Sequence, residues 1–137
     1  MHFFLAFFLL ISTNVNAIDT DKFDENKPAT IKSANAEFVY KFLLAEIASQ
    51  RGDLNAAGHL YLDLAKLTKN TSLAQRATDV AGRSRNGRLA MDSADVWRRL
   101  DKNSIAAEQV LAELLIASGN LTKARPLIEK LLKNEEK

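Results

Sequence analysis

Residues 43–66 read LLAEIASQRGDLNAAGHLYLDLAK, and their apolar side chains recur at helical spacing on both sides of a short polar break. The first apolar series ends at Ala48 and the second begins at Leu54. Between them, Gly52 suits the left-handed backbone that often follows a helix, and Asp53 is a good N-cap for the next one. The pattern therefore predicts two short helices that fold back on each other.

The same pattern returns 67 residues later, where residues 111–133 read LAELLIASGNLTKARPLIEKLLK. When residues 44–66 are aligned with this second stretch, nine of 23 positions are identical. Only about two identities are expected by chance in a chain this rich in Leu and Ala. Because the offset is close to twice 34, it predicts an intermediate copy, and a more divergent copy is found at about residues 70–104.

The composition suits one compact helical domain. The chain has 137 residues, 47% hydrophobic and 26% charged, with five Gly, two Pro and a formal net charge of +2. So few helix-breaking residues favour an all-helical fold. The absence of cysteine excludes disulfides, thiolate metal sites and cysteine nucleophiles. The net charge is too small to indicate, by itself, a protein that binds nucleic acid or a membrane surface.

Residues 1–17 have the composition of a secretory signal peptide. An apolar run from Phe3 to Ile11 is followed by polar residues and the small residue Ala17. Nine apolar residues cannot span a bilayer, which takes about 20, but this length is typical of an exported precursor. His2 is the only basic side chain before the run, so the terminal amine would supply the positive start. We expect cleavage after Ala17 and a periplasmic location; the alternatives are a retained anchor and a misassigned start codon.

The rest of the chain divides into a spacer and a repeat domain. Residues 18–33 are polar and mostly acidic, with too little apolar surface to pack alone, and we interpret them as a flexible linker. The helical pattern occupies residues 34–137, with units at about 38–70, 71–104 and 105–137. The predicted fold class is therefore all-α.

The period and pattern resemble the tetratricopeptide repeat (TPR) family, whose units are 34-residue helix-turn-helix hairpins. Ala57 with Tyr61, and Ala124 with Ile128, are similar to the family's step from alanine to a large side chain four residues later. Lys41 and Glu108 replace the family's first aromatic residue in two units, and Lys69 and Lys102 stand at its terminal prolines. The resemblance implies a right-handed α-solenoid of about three repeats, in which each unit stacks on its neighbours.

The resemblance also implies a concave face, lined by the first helix of each unit, that binds a protein or peptide. Aligning the units gives the candidate partner-binding residues Val39, Phe42, Glu46, Gln50, Gln75, Asp79, Arg83, Gln109, Glu113 and Ile116. A carboxylate recurs at one position, so Glu46, Asp79 and Glu113 would form an acidic row in a stacked solenoid. We interpret this row as a set of carboxylates that bind Lys, Arg or backbone amide donors of a bound segment. The alternative is that carboxylates are simply common on exposed helix faces.

The final helix, from about Thr122 to Lys133, carries an apolar stripe that calls for cover. The stripe consists of Leu127, Ile128, Leu131 and Leu132. Two arrangements would cover it. Two chains could self-associate through the stripe, or the natural protein could continue past Lys137 with further repeats.

The sequence carries no recognisable catalytic or metal-binding pattern. Its two histidines, His2 and His59, have no second ligand at metal spacing, and no triad, phosphate loop or zinc motif occurs. We expect no enzymatic activity, no metal and no cofactor. The middle unit gathers the arginines Arg76, Arg83, Arg85, Arg88, Arg98 and Arg99. Interleaved aspartates indicate a salt-bridged surface, and without stacking aromatics nearby we expect no nucleic acid as partner.

These features predict an exported TPR-type scaffold or adaptor that binds a peptide or protein segment in its concave groove. A structural role is the alternative, in which the chain forms the N-terminal repeats of a larger envelope or secretion-assembly protein. A nucleic-acid-binding helical repeat, carried by the arginine cluster, is a third and more remote hypothesis.

Overall fold

The computed structural model describes the backbone of residues 29–135 and the side chains of residues 34–134. The helices are α1 (Ala29–Gln50), α2 (Leu54–Thr68), α3 (Thr71–Arg83), α4 (Gly87–Leu100), α5 (Ile105–Ala117) and α6 (Leu121–Glu135). No strand occurs within this part of the chain, and the all-α prediction is confirmed. The predicted signal peptide at 1–17 and most of the predicted linker lie outside the described residues.

Helices α2 to α5 each begin after a polar residue that caps the first turn. The side-chain oxygens of Asp53, Asn70, Asn86 and Ser104 accept hydrogen bonds from the backbone N–H three residues later, at 3.0–3.1 Å. These bonds satisfy amides that have no partner within the helix. Two of the caps, Asn70 and Ser104, stand next to the unit boundaries drawn from the sequence.

The turns within the hairpins use left-handed backbone. Gly52 has φ +82° and Gly119 has φ +75°, a conformation that glycine adopts without steric cost. The N–H of Asp53 then donates to the carbonyl of Ala48 at 2.9 Å and closes the end of α1. In the middle hairpin Arg85 takes the equivalent conformation, with φ +58°, so this turn forms without glycine.

Each helix packs on the next one along the chain, and α2 also contacts α4. The second helices of the first two hairpins, α2 and α4, therefore join their own unit to the following one, which is how repeat proteins build one continuous core. Six helices paired in this way agree with the predicted TPR-like helical repeat solenoid.

The core repeats along the stack. Ala57, Ala90 and Ala124 hold equivalent positions in α2, α4 and α6, and all three are buried. Their small side chains let neighbouring helices approach closely. Tyr61 and Leu64, both fully buried, are part of the main core, which extends from α1 to α5. A smaller apolar cluster joins α4, α5 and α6.

The first helix begins earlier than the sequence pattern suggested. Because α1 starts at Ala29, residues 29–33, which the sequence assigned to the linker, are helical. Apolar periodicity gives no signal for these residues. A formed helix can nevertheless extend through residues that have no apolar pattern, because propagation needs no new nucleus.

The last helix is partly covered by the chain itself. Pro126 lies in its second turn without ending it. Leu127 and Ile128, two members of the stripe predicted for self-association, pack against the smaller apolar cluster. Leu131 is half-buried, whereas Leu132 is 57% exposed. Much of the predicted stripe is therefore used within the fold.

Candidate functional site

The ten candidate partner-binding residues lie on the first helices of the three units, α1, α3 and α5. Eight of them are exposed, namely Val39, Gln50, Gln75, Asp79, Arg83, Gln109, Glu113 and Ile116. The other two, Phe42 and Glu46, are half-buried. The exposed candidates are thus mostly polar, and the two apolar ones, Val39 and Ile116, stand at the two ends of the series.

Phe42 is part of the packing between α1 and α2. Its ring stacks on Phe38 with 6.0 Å between centroids, and it meets Tyr61 edge-on at 6.5 Å. Both arrangements are favourable geometries for aromatic pairs. The side chain also packs against the main core. Phe42 therefore contributes chiefly to the stability of the first hairpin.

Glu46 is engaged within the fold by residues from two other helices. Its Oε1 accepts a hydrogen bond of 2.7 Å from the hydroxyl of Tyr61 on α2. Its carboxylate also forms an ion pair at 2.8 Å with the Nη2 of Arg76 on α3. The guanidinium of Arg76 lies 4.9 Å from the centroid of the Tyr61 ring, within cation–π range. These three side chains, here called the Glu46 cluster, connect α1, α2 and α3.

Burial and the carboxylate of Glu46 both raise the pKa of Tyr61. Two effects raise the pKa of Tyr61 to about 12: the larger is the removal of the phenol from water, and the second is its hydrogen bond to Glu46. The positive charge of Arg76 opposes this shift but does not cancel it. Tyr61 is therefore a neutral donor at physiological pH, which is the form that the carboxylate needs.

The three carboxylates of the acidic row predicted from the sequence thus differ in whether they have a partner within the fold. The first carboxylate, Glu46, already has a cation and a hydroxyl donor as partners. Asp79 and Glu113 are exposed, and within residues 34–134 neither takes part in an ion pair shorter than 4.0 Å. The carboxylates that remain available to a partner are those of α3 and α5.

Sequence reasoning missed the role of Arg76, which it placed in the basic cluster of the middle unit. A signal was present, because Arg76 aligns with the apolar Leu43 and Val110 of the other units. Two other members of that cluster, Arg98 and Arg99, pair with Asp95 at 3.0 and 3.2 Å, as expected of a salt-bridged surface.

An ion pair between a buried carboxylate and an exposed lysine was missed in the same way. Glu108 on α5 is only 3% exposed, and its carboxylate pairs with Lys130 of α6. The sequence had marked Glu108 only as a departure from the family's aromatic residue. This pair fastens the two helices of the third hairpin.

A groove of about 690 Å³ lies between α4, α5 and α6, outside the candidate surface. Its apolar residues are Met91, Leu111, Leu115, Pro126 and Leu127. Its charged residues are of both signs and comprise Asp92, Asp95, Arg88, Arg98 and Lys123. The groove therefore does not favour a ligand of either charge. Within the described part of the chain, no group of three or more potential ligand residues could hold a metal ion. No helix described there is long and apolar enough to cross a membrane.

Comparison with known proteins supports the assignment made from the sequence. The chain is 26% identical over 117 residues to "TPR repeat-containing protein PA4667" of Pseudomonas aeruginosa. The match covers 85% of this chain and 20% of the relative, so the chain spans about a fifth of the relative's length. No family model matches the chain. The similarity and the all-helical fold together support a divergent member of the tetratricopeptide repeat family, as predicted.

Proposed function

We propose, taking as premise that the chain is a divergent tetratricopeptide-repeat protein, that it is an exported scaffold for protein–protein interaction. It binds a peptide or protein segment on the exposed side of α1, α3 and α5. The observation that carries this proposal is the exposure of equivalent polar side chains on α3 and α5, Gln75 with Gln109 and Asp79 with Glu113, at positions that the family uses for partners.

The chemistry of this surface favours a basic or backbone-rich ligand. Gln75 and Gln109 lie one helical turn before Asp79 and Glu113, so each helix presents an amide beside a carboxylate. Amides can pair with the backbone of an extended segment, and the carboxylates can accept hydrogen bonds from Lys or Arg side chains. Because Glu46 is already paired, the acidic part of the surface is carried by α3 and α5.

The proposed location is the periplasm, with cleavage after Ala17. The support comes from the sequence of residues 1–17 alone. Mass spectrometry of the chain recovered from the periplasmic fraction would give an N-terminus at Ile18. An intact N-terminus in a membrane fraction would indicate a retained anchor.

A structural role is the second candidate, in which the chain forms the N-terminal repeats of a larger envelope or secretion assembly. One observation favours it: the relative is about five times as long as the matched region. In this case the units act as spacers and the surface of the first helices has no ligand.

A binding experiment separates the two candidates. Random displayed peptides are selected on the full chain, and the affinity of those retained is measured by fluorescence anisotropy. The double variant Asp79→Asn/Glu113→Gln should raise Kd about tenfold, since two exposed charge pairs each contribute up to about 1 kcal/mol. The control Asp63→Asn/Glu129→Gln makes the same change of charge on α2 and α6, where both residues are exposed, and should leave Kd unchanged.

The composition and salt dependence of binding provide a further criterion. The proposal expects selected peptides to be enriched in Lys and Arg, with affinity that falls as ionic strength rises. Failure to select any peptide, or equal losses in the site variant and the control, would favour the structural role.

A further inference from the structure

Helix α1 carries an apolar face that nothing in the described part of the chain covers. Tyr40, Leu43, Leu44 and Ile47 recur at helical spacing on the side opposite the buried Ala45. Their exposed fractions are 67%, 54%, 40% and 46%. These four residues, here called the α1 outer stripe, include no charged side chain.

For three of the four residues the equivalent positions in the later units are covered, whereas Leu43 aligns with the exposed Arg76 and the half-buried Val110. Three members of the α1 outer stripe, Tyr40, Leu44 and Ile47, align with the α3 residues Leu73, Ala77 and Val80 and the α5 residues Ala107, Leu111 and Leu114. Five of these six are buried and the sixth is half-buried. Helices α3 and α5 pack on the second helix of a preceding unit, which α1 lacks in the described part. The α1 outer stripe therefore has the chemistry of a stacking surface without its neighbour.

The surface of helix α6 is too charged to pack on the apolar α1 outer stripe, which argues against head-to-tail association. In α2 the positions that stack on the following unit include Gly58 and Leu62, both buried. Helix α6 has Arg125 and Glu129 at these positions, with side chains 82% and 62% exposed. Placing them on an apolar surface would strip two charges of water. A surface that is apolar throughout is a better match, and the α1 outer stripe of another copy supplies it.

We propose that two copies of this chain associate through the α1 outer stripe, around a two-fold axis near Leu43 and Leu44. Isologous pairing places apolar side chains of one copy against those of the other and ends in a closed dimer. With Val39 beside it, the stripe leaves on the order of 500 Å² open to solvent on each copy, the size of the largest apolar patch on a typical monomer, which is often a functional surface. Two copies would bury about 1,000 Å², the lower limit of a specific interface.

This inference does not rest on the proposed ligand surface, and its test is independent of any partner. Sedimentation velocity of the full chain between about 1 and 200 µM should show a monomer–dimer equilibrium with Kd in the micromolar range. The variant Tyr40→Lys/Leu43→Glu changes two residues that lie outside the core clusters. It should raise Kd at least thirtyfold while the far-UV circular dichroism spectrum is unchanged.

The control variant Leu132→Glu places a charge on α6, on the stripe that the sequence had suggested for self-association. It should leave Kd within twofold of the wild type. A monomeric wild type at 200 µM would overturn the proposal. So would a dimer that is lost in Leu132→Glu, since this would implicate α6 either alone or in head-to-tail contact with α1.

A cysteine probe tests the two-fold symmetry directly, because the chain has no native cysteine. In an isologous dimer a residue near the axis meets its own copy. Leu43→Cys should therefore form a disulfide-linked dimer under mild oxidation, visible on a non-reducing gel. Leu132→Cys should remain largely monomeric, and equal cross-linking of the two variants would contradict the assigned surface.

Discussion

Removal of the Tyr61 hydroxyl is expected to weaken the joint between the first two units. Tyr61→Phe keeps the buried ring, its contact with Phe42 and its position beside the Arg76 guanidinium, and deletes only the donor to Glu46. The carboxylate of Glu46 would retain its ion pair with Arg76. The variant therefore isolates a single hydrogen bond that joins α1 to α2.

The magnitude follows from the environment of this bond. A hydrogen bond to a charged group contributes about 1.5–3 kcal/mol. Glu46 keeps about a quarter of its side chain in water, so we expect the lower end, about 1.5 kcal/mol. For a folded part of about 100 residues this corresponds to a decrease in Tm of roughly 6 °C.

The effect should depend on pH in a defined direction. The pKa of Tyr61 is raised to about 12 in the folded protein, whereas an unfolded tyrosine titrates near 10. The folded state thus holds this proton more tightly. The resulting stabilisation is complete below about pH 10 and is lost as pH rises toward 12, by on the order of 2 kcal/mol. Phenylalanine has no such proton, so the stability difference between wild type and Tyr61→Phe should shrink toward zero over this range.

Urea unfolding followed by far-UV circular dichroism at pH 8, 10 and 11.5 measures the difference. Lysines and other groups titrate in both proteins, so their contributions cancel in the comparison. Tyr40→Phe is the matched control, since Tyr40 is 67% exposed, and should change stability by less than about 0.5 kcal/mol. Two results would refute the reasoning. One is a stability difference between wild type and Tyr61→Phe at pH 8 below about 0.5 kcal/mol, the size of an ordinary surface effect. The other is a stability difference that stays constant up to pH 11.5.

Three further substitutions test the packing by thermal and urea unfolding. Gly58→Leu should destabilise by at least about 2 kcal/mol, because even a Cβ at this position would lie 2.9 Å from Leu89 Cδ2; unchanged stability would mean that α2 and α4 are not in close contact. Asn70→Ala removes the N-cap of α3 and should cost about 1 kcal/mol, whereas Asn70→Ser should restore most of it; equal losses in the two would argue against capping. Lys130→Met leaves the buried Glu108 carboxylate without its cation and should lower the free energy of unfolding by about 2 kcal/mol. The double variant Lys130→Met/Glu108→Met should lose less than Lys130→Met alone. If the losses of the two substitutions simply add, the pairing is contradicted.

Local rules made much of the fold predictable from the sequence. Gly52 and Gly119 mark turns because few other residues accept their positive φ, and Asp53 marks a helix start because its side chain can bond amides three residues on. Both signals depend on near neighbours in the chain. The repeat period adds long-range information, because aligned units must pack alike, and it assigned the candidate residues to the first helix of each unit, which are α1, α3 and α5 in the structure.

The features that sequence reasoning did not predict depend on contacts between units. Glu46 looks like an ordinary surface carboxylate when only its own helix is considered, and its partners Tyr61 and Arg76 come from 15 and 30 residues further along the chain. The buried Glu108 was hidden in the same way, since its partner lies on another helix. The α1 outer stripe was overlooked for the opposite reason. Tyr40, Leu44 and Ile47 match positions that are covered in later units, and only the three-dimensional stack shows that nothing within residues 34–134 packs on them.

The claim that the first helices form a binding surface is tested most directly by site-specific cross-linking in the cells that produce the protein. A benzophenone amino acid is placed at Gln75 or Gln109 on the surface, or at the exposed Asp63 of α2 as control. We expect discrete protein adducts, identified by mass spectrometry, from the two surface positions only, and we expect Asp79→Asn/Glu113→Gln to reduce them. Equal adducts from Asp63, or none from Gln75 and Gln109, would contradict the claim.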